Sequence, residues 1–256
     1  MPVKKIRLDQ LLVEKNLVES RSQARALIMA GSVTVNGTVV DKAGSLVATD
    51  AALQLKELNK FVSRGGIKLE AALSRWQMDV KEKICLDVGA STGGFSDCLL
   101  QAGAKKIYAV DVGYGQLHWK LQKDARVIRL DRENFRHFDL EKITDVIDIV
   151  VMDVSFISIK LLIPKIMELF SKQKSKNEKT LIALIKPQFE AGPENVDKGG
   201  IVKNESVRKK VVDDLVEFAL NAGFKRPLVI PSPITGADGN VEFLLNCHFV
   251  CNVNVP

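Results

Sequence analysis

After Lys83, short apolar segments alternate regularly with longer amphipathic ones, and this alternation constrains the fold more than any other feature. Seven apolar segments have the length and composition of buried strands. They are 84–88, 106–110, 126–130, 148–152, 181–185, 227–230 and 243–250. Between some of them, apolar residues spaced three or four apart, as in 95–102 and 207–222, predict helices. We therefore predict an α/β fold, a mostly parallel Rossmann-like sheet with covering helices.

The first 60 residues follow a different pattern. Two helical stripes of apolar residues come first, and a strand-like alternation with an Asn-Gly turn at 36–37 follows them. Ser20 is placed to cap the second helix, in which Arg21 and Arg25 share one face. We predict a small α+β domain here. The expected boundaries are residues 1–58 for this domain, 59–63 for a linker and 64–256 for the α/β domain.

Charge and composition restrict the partners and the compartment. The net charge of +6 and the pI of about 9.1 favour an anionic partner. No apolar stretch approaches the ~20 residues that span a bilayer, and the N-terminal residues lack the pattern of a secretory signal. We expect a cytoplasmic protein with no membrane partner. The cysteines are too scattered for disulfides or a metal site and are expected in the core: Cys85, Cys98, Cys247 and Cys251.

The segment Ile-Cys-Leu-Asp-Val-Gly-Ala-Ser-Thr-Gly-Gly-Phe, residues 84–95, predicts a strand that runs through a glycine-rich turn into a helix. About twenty residues later Asp111 ends the next strand, where this architecture places a carboxylate on ribose hydroxyls. A nicotinamide dinucleotide would need both features, but the turn lacks the G-x-G-x-x-G pattern that holds a pyrophosphate. S-adenosylmethionine fits better. Asp131 is a candidate for its adenine amino group, although a solvated carboxylate is an equal alternative.

The candidate cofactor residues lie within this segment apart from the two later carboxylates. They are Asp87, Gly89, Ala90, Ser91, Thr92, Gly93, Gly94, Phe95, Asp111 and Asp131.

Charged residues stand at the ends of apolar segments, where core residues are normally neutral. Asp153 and Lys186 each end a predicted strand, and Lys68 follows a Ser-Arg-Gly-Gly-Ile turn. Because the carboxyl ends of parallel strands form the ligand crevice, Asp153 and Lys186 should face one site. Glu242 precedes the last strand and would reach the same edge if that strand is antiparallel. Two lysines and two carboxylates could therefore meet there.

Two resemblances extend this interpretation. The string from Arg21 to Gly37 resembles the RNA-binding domain named after the fourth protein of the small ribosomal subunit. The whole chain resembles the TlyA family of ribosomal RNA 2′-O-methyltransferases, which share an FtsJ-type catalytic core. The motifs that carry this second resemblance lie at 63–69, 87–95, 111–117, 153–158 and 186–190.

The resemblance implies a methyltransferase that acts on the ribose 2′-hydroxyl of cytidine in ribosomal RNA or ribosomal subunits. It implies a catalytic set of Lys68, Asp153, Lys186 and Glu242, and RNA contacts from Arg21, Arg25 and Arg64. Lys186 would activate the hydroxyl and Asp153 would orient it, while Lys68 and Glu242 would position the nucleotide. Whether Lys186 accepts the proton or remains charged and stabilises the developing oxyanion is not decided by the sequence.

Three rival functions remain open at this stage. One is a non-catalytic RNA-binding or ribosome-assembly factor, which the occupied four-residue set disfavours. Another is a membrane-active haemolysin, a name that some relatives carry, but no strongly amphipathic basic helix is present. A third is a base methyltransferase, which would require a nucleophilic cysteine at the carboxyl end of a strand. Neither Cys85 nor Cys98 occupies such a position.

Overall fold

The chain forms two compact units in the computed structural model, Met1–Asn59 and Lys60–Pro256. The structure describes residues 4–29, 31–55, 60–173, 175 and 177–250. The predicted linker begins at residue 59, which lies outside the described residues, as does Cys251. The predicted fold class, an α/β unit accompanied by a small α+β unit, is confirmed.

The N-terminal unit contains helices α1 (Leu8–Glu14) and α2 (Arg21–Met29). Its strands are β1 (Lys5–Arg7), β2 (Val33–Val35), β3 (Thr38–Val39), β4 (Leu46–Ala48) and β5 (Leu53–Leu55). Strand β1 pairs with β4, and β2 lies between β3 and β5, all antiparallel.

Local sequence explains these elements. Asn36 and Gly37 have φ values of 51° and 81°, which the tight turn between β2 and β3 requires of both residues. The Ser20 hydroxyl accepts a hydrogen bond from the Gln23 backbone N–H at 3.2 Å and so caps α2. The apolar stripes of the two helices are buried against each other and form the core of the unit: Leu8, Leu11, Leu12, Ala24, Leu27 and Ile28.

The second unit is built on a seven-stranded sheet in which all seven predicted strands are present. They are β6 (Ile84–Val88), β7 (Lys106–Asp111), β8 (Val127–Asp131), β9 (Ile149–Met152), β10 (Lys179–Ile185), β11 (Lys225–Pro231) and β12 (Phe243–Phe249). Their order is β11-β12-β10-β9-β6-β7-β8, and β12 is antiparallel to both neighbours. Strand β10 begins two residues earlier than predicted because Lys179 and Thr180 pair with the end of β12.

Helices cover both faces of this sheet. They are α3 (Gly65–Arg75), α4 (Gly94–Gln101), α5 (Trp119–Gln122), α6 (Ile163–Lys172) and α7 (Glu205–Asn221). Side chains of α3, α4 and α5 pack on one face and those of α6 and α7 on the other. Successive side chains of β6 point to opposite faces: Cys85 belongs to the core on the side of α3, α4 and α5, and Leu86 belongs to the core on the side of α6 and α7. Because the five strands β6 to β10 are parallel, their carboxyl ends lie at the same edge of the sheet, where predicted site residues also lie.

Cys85, Cys98 and Cys247 are buried free thiols. Among the described residues, no cluster of three or more His, Cys, Asp or Glu side chains could hold a metal ion. The described helices include none with the length and apolarity needed to cross a membrane.

Candidate active site

The glycine-rich turn after β6 brings its backbone against the neighbouring strand end. The Gly89 and Ala90 N–H groups both donate to the Val110 carbonyl, at 2.9 and 3.1 Å. Gly89 has a φ of +82°, and a Cβ at this position would lie 2.6 Å from the Asp153 carbonyl oxygen. A side chain is therefore excluded here by both conformation and space. The turn leaves an open passage between the ends of β6, β7 and β9.

A cavity of about 450 Å³ lies over these strand ends. Its walls combine apolar side chains with a few polar groups, which is typical of a site for a small organic ligand. The apolar walls include Val112, Phe135, Val154 and Leu162, and the polar groups include Asp111, Gln116, Glu133 and Asn134.

Asp111 is held rigidly at the rim of this cavity. Its two carboxylate oxygens accept hydrogen bonds from the Ser91 N–H at 2.8 Å and from the Gly113 N–H at 2.7 Å. Backbone donors fix the carboxylate while leaving further lone pairs free. The group is thus placed to accept hydrogen bonds from the hydroxyls of a sugar.

A smaller cavity of about 150 Å³ adjoins the first and shares Gly89, Ser91, Asp153 and Ser155 with it. It is lined also by the fully buried Asp87. One oxygen of Asp87 accepts the Ser96 hydroxyl at 2.7 Å, whereas the other, Oδ1, has no hydrogen-bond partner among the described residues. Burial raises the pKa of Asp87 from 3.8 to about 7. A buried carboxylate with an unpartnered oxygen would be stabilised by a cationic ligand group.

Lys186 and Asp153 form an ion pair on the wall of the smaller cavity, with 2.7 Å between Nζ and Oδ1. Lys186 Nζ also donates to the Ser155 hydroxyl at 2.8 Å. The Asp153 contact is an ion pair without a hydrogen bond, because Asp153 Oδ1 has no hydrogen-bond partner among the described residues, so the ammonium keeps N–H donors for a ligand. The side chains of Lys186 and Asp153 are only 12% and 22% exposed, and the low exposure strengthens charge interactions within the cavity.

Glu190 connects the two loops that carry this pair. Its carboxylate accepts the Ser158 hydroxyl at 2.6 Å and the Ile159 N–H at 2.8 Å. Burial raises its pKa. The loop after Asp153 is thereby fixed to the segment after Lys186, a role that the position of Glu190 in its motif did not indicate.

Lys68 and Glu242 form a second ion pair, with 2.5 Å between Nζ and Oε2, and both side chains are buried. In the antiparallel register Ile185 faces Phe243, so the preceding Glu242 leaves the sheet beside Lys186. The structure therefore brings all four predicted residues to one sheet edge, but as two separate pairs. Of the two described pairs, the Lys186 pair lines the smaller cavity, and the Lys68 pair lines neither of the two cavities.

Several predicted residues have other surroundings. Asp131 accepts a hydrogen bond from the Gly115 N–H at 3.3 Å and, within the described chain, lines neither of the two cavities. The three residues that reach the larger cavity from this strand end are Glu133, Asn134 and Phe135. They lie two to four positions after Asp131, the last residue of β8. The sequence offered one indication that they belong to the site, namely their position just after the end of a predicted strand. Thr92 and Gly93, also described, line neither cavity.

The predicted RNA-contacting arginines are all partly exposed, but their contacts differ. Arg21 and Arg25 both pair with the buried carboxylate of Asp9, at 2.9 and 3.3 Å, and both side chains remain about half exposed. Arg64 is exposed and directly precedes α3. Asp9 was not singled out from the sequence.

Known proteins resemble this chain over most of its length. A family model described as FtsJ-like methyltransferase matches residues 61–249, and an S4 domain model matches residues 6–52. The Bacillus subtilis protein named "Putative rRNA methyltransferase YqxC" is 46% identical over 97% of this chain and 88% of its own length. The Mycobacterium tuberculosis protein named "16S/23S rRNA (cytidine-2'-O)-methyltransferase TlyA" is 39% identical over 94% of this chain and 89% of its own.

A solved structure from Streptococcus thermophilus, named "Putative hemolysin", shares 40% identity with a TM-score of 0.72. The alignment covers 98% of this chain and 92% of that one. These findings confirm the predicted enzyme class, a methyltransferase, and the predicted cofactor, S-adenosylmethionine. The chain belongs to the TlyA family of FtsJ-like methyltransferases, with an S4 domain over residues 6–52.

Proposed function

We propose that this protein transfers the methyl group of S-adenosylmethionine to the ribose 2′-hydroxyl of cytidine in ribosomal RNA. The observation that carries the proposal is the Lys186–Asp153 ion pair, which lines the smaller cavity next to the glycine turn. A hydroxyl that enters this cavity meets a fixed cationic donor and no nucleophilic cysteine among the described lining residues, as expected for transfer to oxygen. The names of the relatives support the ribosomal substrate.

The residues around the two cavities fit the cofactor. S-adenosylmethionine supplies an activated methyl group on a positively charged sulfur. Asp87 offers an unpartnered buried oxygen to its ammonium group, and Asp111 offers acceptors to its ribose hydroxyls. Gly89 lets the turn approach the Asp153 carbonyl closely, and Val112 and Phe135 provide apolar walls for an adenine ring. Among the carboxylates beyond β8, we assign Glu133 rather than Asp131 to this end of the site.

We assign Lys186 the stabilisation of negative charge on the attacking oxygen. Its contacts with Asp153 and Ser155 hold the ammonium on the wall of the smaller cavity. As the hydroxyl oxygen forms its bond to the methyl carbon, the carbon–sulfur bond would break with its electron pair remaining on the neutral thioether sulfur, and the hydroxyl proton would pass to solvent water. A fixed charge held beside the reacting oxygen can supply several kcal/mol of such stabilisation, roughly 3 to 4 for one well-placed donor.

Lys68 and Glu242 are assigned a positioning role. Their buried pair joins α3 to the residue before β12, directly beside Lys186 in the register. The N-terminal unit, which contains the S4 domain, would supply RNA contacts through its exposed arginines Arg21 and Arg25. Arg64 would add a contact from the second unit, which is the methyltransferase unit. Because ribosomal RNA is a cytoplasmic substrate, the proposal also places the protein in the cytoplasm.

The test is a methyl-transfer assay with labelled S-adenosylmethionine and purified 16S RNA, 23S RNA and both ribosomal subunits. A 2′-O-methyl group removes the hydroxyl that attacks the phosphodiester in alkali, so the label should be recovered in alkali-stable dinucleotides that contain cytidine. Lys186→Met should lower the rate by about 100-fold or more, while calorimetry shows unchanged cofactor affinity.

Lys172→Met is the matched control, because Lys172 is an exposed lysine on α6 that lines neither cavity. It should retain full activity. Label in alkali-labile mononucleotides would indicate base methylation and refute the sugar as acceptor. Cofactor binding without transfer to any of the four substrates would favour the non-catalytic assembly factor.

A further inference from the structure

Asp9 lies in the first turn of α1 and is completely buried, yet it is surrounded by three arginines. Arg7 contacts it through Nε and Nη2, at 2.9 and 3.1 Å. Arg21 Nη2 lies 2.9 Å and Arg25 Nε 3.3 Å from the same oxygen, Oδ2. The arginines come from two separate parts of the unit, the end of β1 and one face of α2. One carboxylate therefore connects all three.

The arrangement leaves most of each arginine free. A guanidinium has five N–H donors, and each of these uses only one or two of them on Asp9. The side chains of Arg7, Arg21 and Arg25 are 41%, 47% and 56% exposed, so the remaining donors are accessible to solvent. Hydrogen bonds from Arg7, reinforced by Arg21 and Arg25, hold the pKa of Asp9 well below its usual value. The carboxylate is charged throughout the physiological range.

We propose that Asp9 is a positioning residue that arranges Arg7, Arg21 and Arg25 into one fixed surface for adjacent RNA phosphates. The inference rests on the proposed function only in taking RNA as the partner of this unit. A free arginine loses considerable rotamer entropy when it binds a phosphate, and an arginine already held by Asp9 has lost part of it beforehand. Gly44 completes the support, since a Cβ there would lie 3.3 Å from Arg7 Nη1.

For the effect of Asp9 on RNA affinity, the proposed role predicts the opposite of what net charge alone predicts. Asp9 contributes a negative charge, so its removal raises the net charge of the unit by one. If attraction to phosphate depended on charge alone, Asp9→Asn would bind RNA more tightly. If Asp9 acts by fixing the arginines, the same variant binds more weakly despite its higher charge.

The experiment measures binding of the full chain to protein-free 23S ribosomal RNA by filter retention across a series of KCl concentrations. Asp9→Asn should weaken binding about tenfold near 0.15 M KCl, and the slope of log affinity against log salt should fall by about 1 to 2. Glu14→Gln is the matched control, because Glu14 is an exposed carboxylate on the same helix. It adds the same charge and should leave binding equal or slightly tighter.

Circular dichroism at the assay temperature verifies that Asp9→Asn is folded. The double variant Arg21→Lys with Arg25→Lys provides a second test that keeps Asp9 and the net charge. One ammonium cannot serve Asp9 and a phosphate in fixed geometry as a guanidinium does, so binding should again weaken several-fold. The proposal is overturned if the lysine variant binds like the parent, or if a folded Asp9→Asn binds as tightly as Glu14→Gln.

Methyl transfer at saturating RNA reports on the proposed function separately. In Asp9→Asn the change should appear in the RNA concentration that gives half-maximal transfer, whereas the control Glu14→Gln should leave transfer unchanged, because Glu14 belongs neither to the methyltransferase unit nor to the arginine cluster. Loss of RNA binding with normal saturating transfer identifies Asp9 as acting through affinity. Absence of transfer in the parent chain would refute the proposed reaction without bearing on the role of Asp9.

Discussion

Asp87→Asn is expected to make the cofactor-free protein more stable at neutral pH while abolishing cofactor binding. The carboxylate is fully buried, and burial raises its pKa from 3.8 to about 7. That shift of about 3 pH units corresponds to roughly 4 kcal/mol by which the folded state disfavours the charged form. Asparagine keeps an acceptor for the Ser96 hydroxyl and removes the charge. The variant should therefore recover part of the unfolding free energy that the buried charge of Asp87 removes from the parent protein.

The pH dependence gives the sign of the effect. An unfolded Asp87 loses its proton near pH 3.8 and the folded one near 7, so between these values the unfolded state holds fewer protons. The free energy of unfolding due to this group thus decreases as pH rises from about 4 to about 7 and is constant above. Between pH 5 and pH 8 the stability difference between Asp87→Asn and the parent should grow by about 3 kcal/mol in favour of the variant.

Urea denaturation at pH 5, 6, 7 and 8, with and without S-adenosylmethionine, measures both parts of the prediction. Comparing the change across pH removes any constant cost of placing an amide nitrogen at the unpartnered oxygen. The cofactor should stabilise the parent more at pH 8 than at pH 5, since its ammonium compensates the buried charge, and should not stabilise Asp87→Asn. Parallel pH profiles for the two proteins would refute the reasoning, as would undiminished cofactor affinity in the variant.

Three further changes test the rest of the site. Lys186→Arg keeps the charge but cannot accept a proton at working pH, so it should retain measurable transfer if Lys186 acts electrostatically and none if it acts as a base; single-turnover rates against Lys186→Met distinguish the two. Gly89→Ala introduces a Cβ 2.6 Å from the Asp153 carbonyl at a φ of +82° and should lower both cofactor affinity and stability, by about 1 to 3 kcal/mol in thermal melts. Glu242→Gln leaves Lys68 buried without a charged partner and should destabilise the protein by about 3 to 5 kcal/mol, whereas Lys68→Met with Glu242→Leu should restore much of the loss.

Most of the sheet was predictable because its central strands β6, β7, β9 and β10 are buried on both faces and their sequences are therefore continuous apolar runs. The same regularity located the site, since charged residues such as Asp153 and Lys186 interrupt the apolar pattern where the strands end. Local turn chemistry was equally informative, because Asn36 and Gly37 have few alternatives to the turn they form. These predictions needed only periodicity and the conformational preferences of neighbouring residues.

Contacts between distant segments were less accessible. Asp131 is the last residue of β8 and Glu133 lies two residues later, and only the path of the chain beyond β8 determines which carboxylate faces the larger cavity. In the N-terminal unit, Arg21 and Arg25 could be assigned to one helix face, but their common partner is on α1. Spacing along a helix predicts which residues are neighbours within it and does not predict what faces them from another element.

The two lysines of the site show the same limit of sequence-based prediction. Their surroundings in the structure are the reason for assigning them different roles. By residue pattern, Lys68 and Lys186 are each a charged residue beside an apolar or glycine-rich segment, and only the resemblance to the TlyA family assigned them different roles. In the structure both are paired with a carboxylate at nearly the same distance, yet Lys186 lines the smaller cavity of the site and Lys68 lines neither of its two cavities. A lysine can stabilise charge only on an atom that reaches it, so accessibility rather than pairing separates the two. Substituting Lys186 should therefore affect the rate of transfer with little loss of stability, and substituting Lys68 should affect stability first.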